Sequence, residues 1–174
     1  MKKNAVLILA SSLFLMSRPF FSDAAENRIP FHGLKEVAVF VEDIDPEAIK
    51  DGLSKEGIKN DVELRLREAG VKVVPAEKCL PLPTSPYLYV IVNTVKFLSG
   101  LEYVYGTSVQ LKQVAVIDRG KTVKPQKASL WVTTWEKNDG VGITFVEELV
   151  GNVRAHINEK VDMFISDYLA ENPK

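Results

Sequence analysis

The chain has 174 residues, with 22 basic and 23 acidic side chains and a formal net charge of −1. That near-neutral balance supplies no basic field for nucleic acid or anionic lipid. A single cysteine rules out a disulfide framework, so an ordinary hydrophobic core must hold the fold.

Residues 1 to 24 read as a signal peptide. Lys2 and Lys3 precede the twelve-residue apolar run AVLILASSLFLM, which is short of the roughly 20 residues that a membrane-spanning helix needs. Ser22 and Ala24 provide the small side chains of a cleavage site, so cleavage is expected after Ala24, with export to the periplasm or beyond. Loss of Lys2, Lys3, Arg18 and Asp23 leaves 19 basic and 22 acidic residues, a net charge of −3 over 150 residues, with no transmembrane segment. The lone cysteine, Cys79 in KCLPLP, lies far from that site, so lipid anchoring there is not expected. It is read as either a buried small hydrophobe or a free thiol able to pair with another chain.

Residues 25 to 34 (AENRIPFHGL) lack periodicity and are expected to form an extended lead-in to a single αβ domain over residues 35 to 174. KEVAVFVEDI (35 to 44) reads as a central strand, apolar on both alternations. Asp45-Pro46 starts a helix that Gly52 limits to a turn. The next helix begins near Ser54, carries Ile58, Val62, Leu66 and Ala69 on one stripe, and is capped by Gly70. VKVV (71 to 74) is a short strand, and PAEKCLPLPTSP (75 to 86), with four prolines, is a stiff connector.

Three strands are then expected, at 87 to 98, 101 to 117 and 127 to 137, forming an antiparallel meander with a tight turn at Ser99-Gly100. From Thr144 a capping box with Glu147 is expected to open a long amphipathic helix. Its stripe is Val146, Leu149, Val150, Val153, Ile157, Val161, Phe164 and Tyr168, with Glu148, Arg154, Glu159, Lys160 and Asp162 mostly off it. The fold class is α+β: a five-stranded mixed sheet with two helices on one face.

No nucleophile elbow, Walker loop or dinucleotide fingerprint is present. His32 and His156 have no histidine or cysteine at metal-ligand spacing, and no metal or cofactor is expected. The one acidic cluster, Glu42, Asp43, Asp45 and Glu47, is better explained by helix capping than by catalysis.

A two-residue hairpin turn pairs residues whose numbers sum to 199. Leu88, Val90 and Val92 then join Thr107, Val109 and Leu111 on a core face, with Tyr103 and Tyr105 at its end beside Lys96 and Thr94. Tyr87, Tyr89, Ile91, Asn93, Val95 and Phe97 stand on the opposite face with Glu102, Val104, Gly106, Ser108 and Gln110. Trp131 and Trp135, four apart, are expected to share one side of their strand. If Ala128, Leu130 and Val132 join the core face, both tryptophans stand outside with Tyr89, Tyr87 and Phe97 as a partner surface; otherwise they fill the core.

The element order over residues 35 to 170 resembles the amino-terminal domain of TolB and related periplasmic αβ modules. The stretches DVELRLREAGVKVV, PYLYVIVNT and FISDYLAENPK are similar to small exported proteins of Gram-negative bacteria. This resemblance implies an adaptor or assembly role in the envelope, with another envelope protein as partner, and it transfers no functional residue. The expected function is therefore a non-enzymatic periplasmic interaction module. One alternative is a small-ligand binder with its pocket between the sheet and the proline-rich loop; a further one is an enzyme using the acidic cluster.

Overall fold

The computed structural model describes residues 31–76, 85–117, 128–138 and 140–173. The expected signal peptide, Cys79 and most of the proline-rich connector lie outside the described residues.

Among the described residues six strands form one mixed sheet: β1 (Glu36–Val41), β2 (Lys72–Val73), β3 (Tyr87–Lys96), β4 (Glu102–Ile117), β5 (Ala128–Asn138) and β6 (Gly142–Phe145). The helices are α1 (Pro46–Lys50), α2 (Lys55–Glu68) and α3 (Leu149–Glu171), the last preceded by a 3-10 turn at Val146–Glu148. The spatial order is β2-β1-β3-β4-β5, with β6 also paired to β4. β1 runs parallel to β2 and β3, and the remaining pairs are antiparallel. The fold is α+β, as the element order predicts.

Local chemistry sets each helix boundary. Asp45 accepts from the Glu47 amide at 2.8 Å, with Pro46 in the first turn of α1. Ser54 caps α2 in the same way, accepting from the Gly57 amide at 3.1 Å. Both helices end alike: Gly52 and Gly70 take positive φ, and the next residue's amide reaches back five residues, Leu53 to Ala48 and Val71 to Leu66. The two residues joined by each of these last bonds are buried, so each turn also closes on the core.

α2 packs against β1 and α3, and α3 against β4, so both long helices cover one sheet face. Ile58, Val62 and Leu66 of α2 meet Leu149, Val153, Ile157, Val161, Phe164 and Tyr168 of α3 in one core beneath Val37, Val39, Leu88, Val90, Val109 and Leu111. Outside it, Arg154 grips Asp61 and Arg65 grips Asp162, each with two hydrogen bonds between the helices.

The β3–β4 register is the one derived from the hairpin: Leu88 faces Leu111, and Lys96 faces Tyr103. The turn is wider than expected. Pairing stops at Lys96, residues 97–101 make the connection with Gly100 at φ 73°, and Leu98 is fully exposed. The lead-in also ends differently: residues 31–33 form a turn that places Phe31, fully buried, between Trp135 and Phe164 with ring centroids at 6.1 and 5.4 Å.

Three expectations are corrected. The capping box does not form, because Gly142–Phe145 is strand β6 rather than a helix start. Thr144 points inward, 4 % exposed, and its hydroxyl accepts from Asn152 at 2.7 Å. Lys160 is not off the stripe: it is fully buried, donating to the Thr107 hydroxyl at 2.8 Å and to the His156 carbonyl at 3.3 Å. Finally, Trp131 and Trp135 do not share a face.

Candidate interaction face

The strand alternation that builds the core leaves the other sheet face with Phe40 and Ala38 from β1, Tyr87, Tyr89, Ile91 and Asn93 from β3, and Gln110, Lys112 and Val114 from β4. Among the described residues, no helix covers this face.

β5 enters that pattern through a bulge. Leu111 lies opposite Trp135 and Lys112 opposite Thr133, so Thr134 is an extra residue whose hydroxyl reaches the Leu111 carbonyl at 3.4 Å. An inserted residue reverses the pleat. Trp135 therefore turns to the core, 6 % exposed; its ring meets Phe164 edge-on at 5.4 Å and its Nε1 donates to Asp167 of α3 at 2.9 Å. Trp131, opposite Val114, stays on the open face at 36 % exposure.

Tyr87 is the hub of an aromatic cluster there. Its ring lies 5.0 Å from Phe40, 6.4 Å from Tyr89 and 5.0 Å from Trp131, so the cluster bridges β1, β3 and β5 over the intervening β4. The Lys112 ammonium sits 5.9 Å from the Tyr89 ring centroid and donates to the Thr133 hydroxyl at 2.6 Å, closing the cluster on its β4 side. The rings exclude water: Ala38, paired with Tyr87, is fully buried on this otherwise open face. Burial raises the Tyr87 phenol above its ordinary value. Burial, and then the Glu42 carboxylate, does the same for Tyr89. Both rings are neutral across the physiological range and present apolar faces on this side of the sheet.

Of the five residues expected to form a surface, Tyr87, Tyr89 and Trp131 come together. Trp135 belongs to the core. Phe97 stands about 26 Å from Tyr89 along β3, at eight residues of strand rise, in a second apolar patch. There Val95 and Ile143 are each 67 % exposed, and Phe145 is 52 % exposed. Between the two patches lies a polar stretch, where Glu136 accepts from Ser108 at 3.0 Å and from Gln110 at 2.8 Å. Sequence reasoning missed Phe40, although the apolar alternation of β1 on both sides carried the signal.

The acidic cluster is divided among separate tasks. Asp45 caps α1, and Asp43 pairs with Lys55 at 2.6 Å, which holds its carboxyl below the usual range. Asp51, beyond the cluster, accepts from Lys96 at 2.7 Å and from the buried Tyr103 hydroxyl at 2.6 Å. His156 lies 3.4 Å from the Tyr105 hydroxyl, while His32 is exposed in a recess with Lys35, Lys72 and Ser85. Among the described residues, no three histidine, cysteine or carboxylate side chains converge on a metal position. No helix among them is long and apolar enough to cross a membrane. Comparison with models of known families and with curated proteins finds no match to this sequence.

Proposed function

We propose that this chain is an exported, non-enzymatic interaction module of the cell envelope, which docks another envelope protein on its open sheet face at Phe40, Tyr87, Tyr89 and Trp131. The observation that carries this reading is the cluster itself. Four rings from three strands pack on one another, with Ala38 buried at their base, on a face that the helices leave uncovered. Partly exposed aromatics flanked by polar groups, here three half-buried rings and the exposed Trp131, are the composition enriched where proteins meet. Export is supported by the pattern of residues 1 to 24, and the TolB-like element order supports an adaptor role. Two of the acidic residues that an enzyme reading would use, Asp45 and Asp43, are spent on capping and ion pairing, which favours binding over catalysis.

A photo-crosslinking amino acid at position 40 or 89, both away from the β5 edge, expressed in cells, tests the reading. The expected result is a discrete adduct with one envelope protein from both positions and none from Leu64 on the exposed side of α2. Adducts at Leu64 as readily as at 89, or none at all, would remove it. Export is checked by the intact mass of the periplasmic protein, expected to begin at Ala25.

A further inference from the structure

The outer edge of β5 has no strand beside it among the described residues. Unpaired backbone N–H and C=O groups along a strand are a template for another strand, and folds ordinarily blunt such an edge by shortness, charge, proline or a bulge. The opposite edge follows that rule: β2 has two residues and carries Lys72, ion-paired to Glu36 at 2.7 Å. β5 has 11 residues, and its charges, Glu136 and Lys137, come only after the bulge at Thr134. From Ala128 to Thr133 there is no charge, proline or glycine. Among the described residues the stretch is exposed on both sides, Leu130 at 46 % on the helix side and Trp131 at 36 % on the other.

The residues of that stretch indicate which strand fits. Ser129, Leu130, Trp131, Val132 and Thr133 run hydroxyl, aliphatic, aromatic, aliphatic, hydroxyl, the same in either direction. A two-fold axis through position 131 places Trp131 opposite itself, Leu130 opposite Val132 and Ser129 opposite Thr133. The members of each pair are an even number of residues apart, so they fall on one face in both copies. Aromatic meets aromatic, aliphatic meets aliphatic, and no like charges oppose one another, which are the favourable cross-strand combinations. A foreign strand would satisfy the same backbone groups but would have no use for this symmetry.

We propose that β5 pairs antiparallel with β5 of a second copy of this chain, joining the two sheets edge to edge about a two-fold axis at Trp131. The two aromatic clusters then lie side by side on one continuous face. This pairing uses the strand edge and does not depend on the partner reading: Tyr89→Ala, away from the edge, is expected to weaken partner crosslinking and leave the assembly state unchanged.

Light scattering on the purified protein tests the pairing. Wild type is expected to be a dimer. Trp131→Lys and Trp131→Glu, which set like charges opposite each other, are each expected to be monomeric. An equimolar mixture of the two variants is expected to dimerise again, because Lys now meets Glu across the axis. Wild type that is monomeric from micromolar to millimolar concentration overturns the proposal, as do dimeric charge variants or a mixture that stays monomeric. If either variant fails to fold, amide exchange on wild type decides: protection over residues 128 to 133 that rises with protein concentration supports pairing, and concentration-independent exchange refutes it.

Discussion

Trp131 and Trp135, four residues apart on β5, stand on opposite faces of the sheet, one against Tyr87 at 5.0 Å and the other donating to Asp167 at 2.9 Å. The two rings should therefore report on different things. Trp135→Ala is expected to cost about 3–5 kcal/mol, the range for removing a large buried aromatic, whereas Trp131→Ala should cost about 1 kcal/mol or less, as exposed positions usually do. Urea unfolding measures both. In single-tryptophan proteins, iodide should quench Trp131 readily and Trp135 poorly; equal quenching would contradict the opposed faces.

Thr134 creates that opposition, so its absence should matter more than its chemistry. Thr134→Ala loses one long hydrogen bond to the Leu111 carbonyl and is expected to cost about 1 kcal/mol or less. Deleting Thr134 restores a regular pleat and forces one half of β5 to change faces, at a cost of at least about 3–5 kcal/mol, since Trp135 or its equivalent leaves the core. Denaturation midpoints of the two variants make the comparison.

Gly142 is fixed by a neighbour. A Cβ placed there would lie 2.5 Å from the Tyr105 ring, so β6 or Tyr105 would have to shift. Gly142→Ala is expected to destabilise by about 1–3 kcal/mol, the usual penalty of overpacking. Gly151 on α3 has nothing within 4 Å of the same position, and Gly151→Ala should stabilise by about 0.5–1 kcal/mol through helix propensity. Thermal melts of the two variants should move in opposite directions.

The Asp51 carboxyl and Tyr103 phenol bound a pH window of stability. Hydrogen bonds from Lys96 and Tyr103 hold Asp51 below its ordinary 3.8, so its contribution is complete above that value and is lost as pH falls through the lower, folded-state value. Burial, followed by the hydrogen bond to Asp51, pushes the Tyr103 phenol far above its ordinary 10.0. Its contribution is complete below 10.0 and is lost as pH rises toward the folded-state value. Asp51→Asn should flatten the acid limb of the stability profile, and Tyr103→Phe the alkaline limb. Melting temperatures across the pH range would show whether each limb follows its residue.

Much of the architecture was legible because alternation and register constrain each other. One hairpin sum assigned Leu88, Val90, Val92, Val109 and Leu111 to the core, and the structure keeps that pairing even though the turn is wider than two residues. The bulge was hidden for a physical reason: SLWVTTW reads as an uninterrupted strand, and only the partner strand counts Thr134 as one residue too many. β6 was missed because four residues carry little periodicity and Thr144 with Glu147 imitates a cap. Lys160 carried a signal that its charge obscured. It lies three residues after Ile157 and four before Phe164, within the buried arc of α3, and Thr107 was already assigned to the face opposite. Of the candidate surface, Tyr87, Tyr89 and Trp131 were legible, while Phe40 was concealed in a strand apolar on both sides.

The Asn172 side-chain amide donates to the Phe31 carbonyl at 2.9 Å, so the first described residue touches the carboxy-terminal end of α3. The polypeptide path is close to a loop that has been cut at one point. A short linker from Asn172 to Phe31, with new termini opened in the Leu98 to Leu101 connection, is expected to give a circular permutant with the same core.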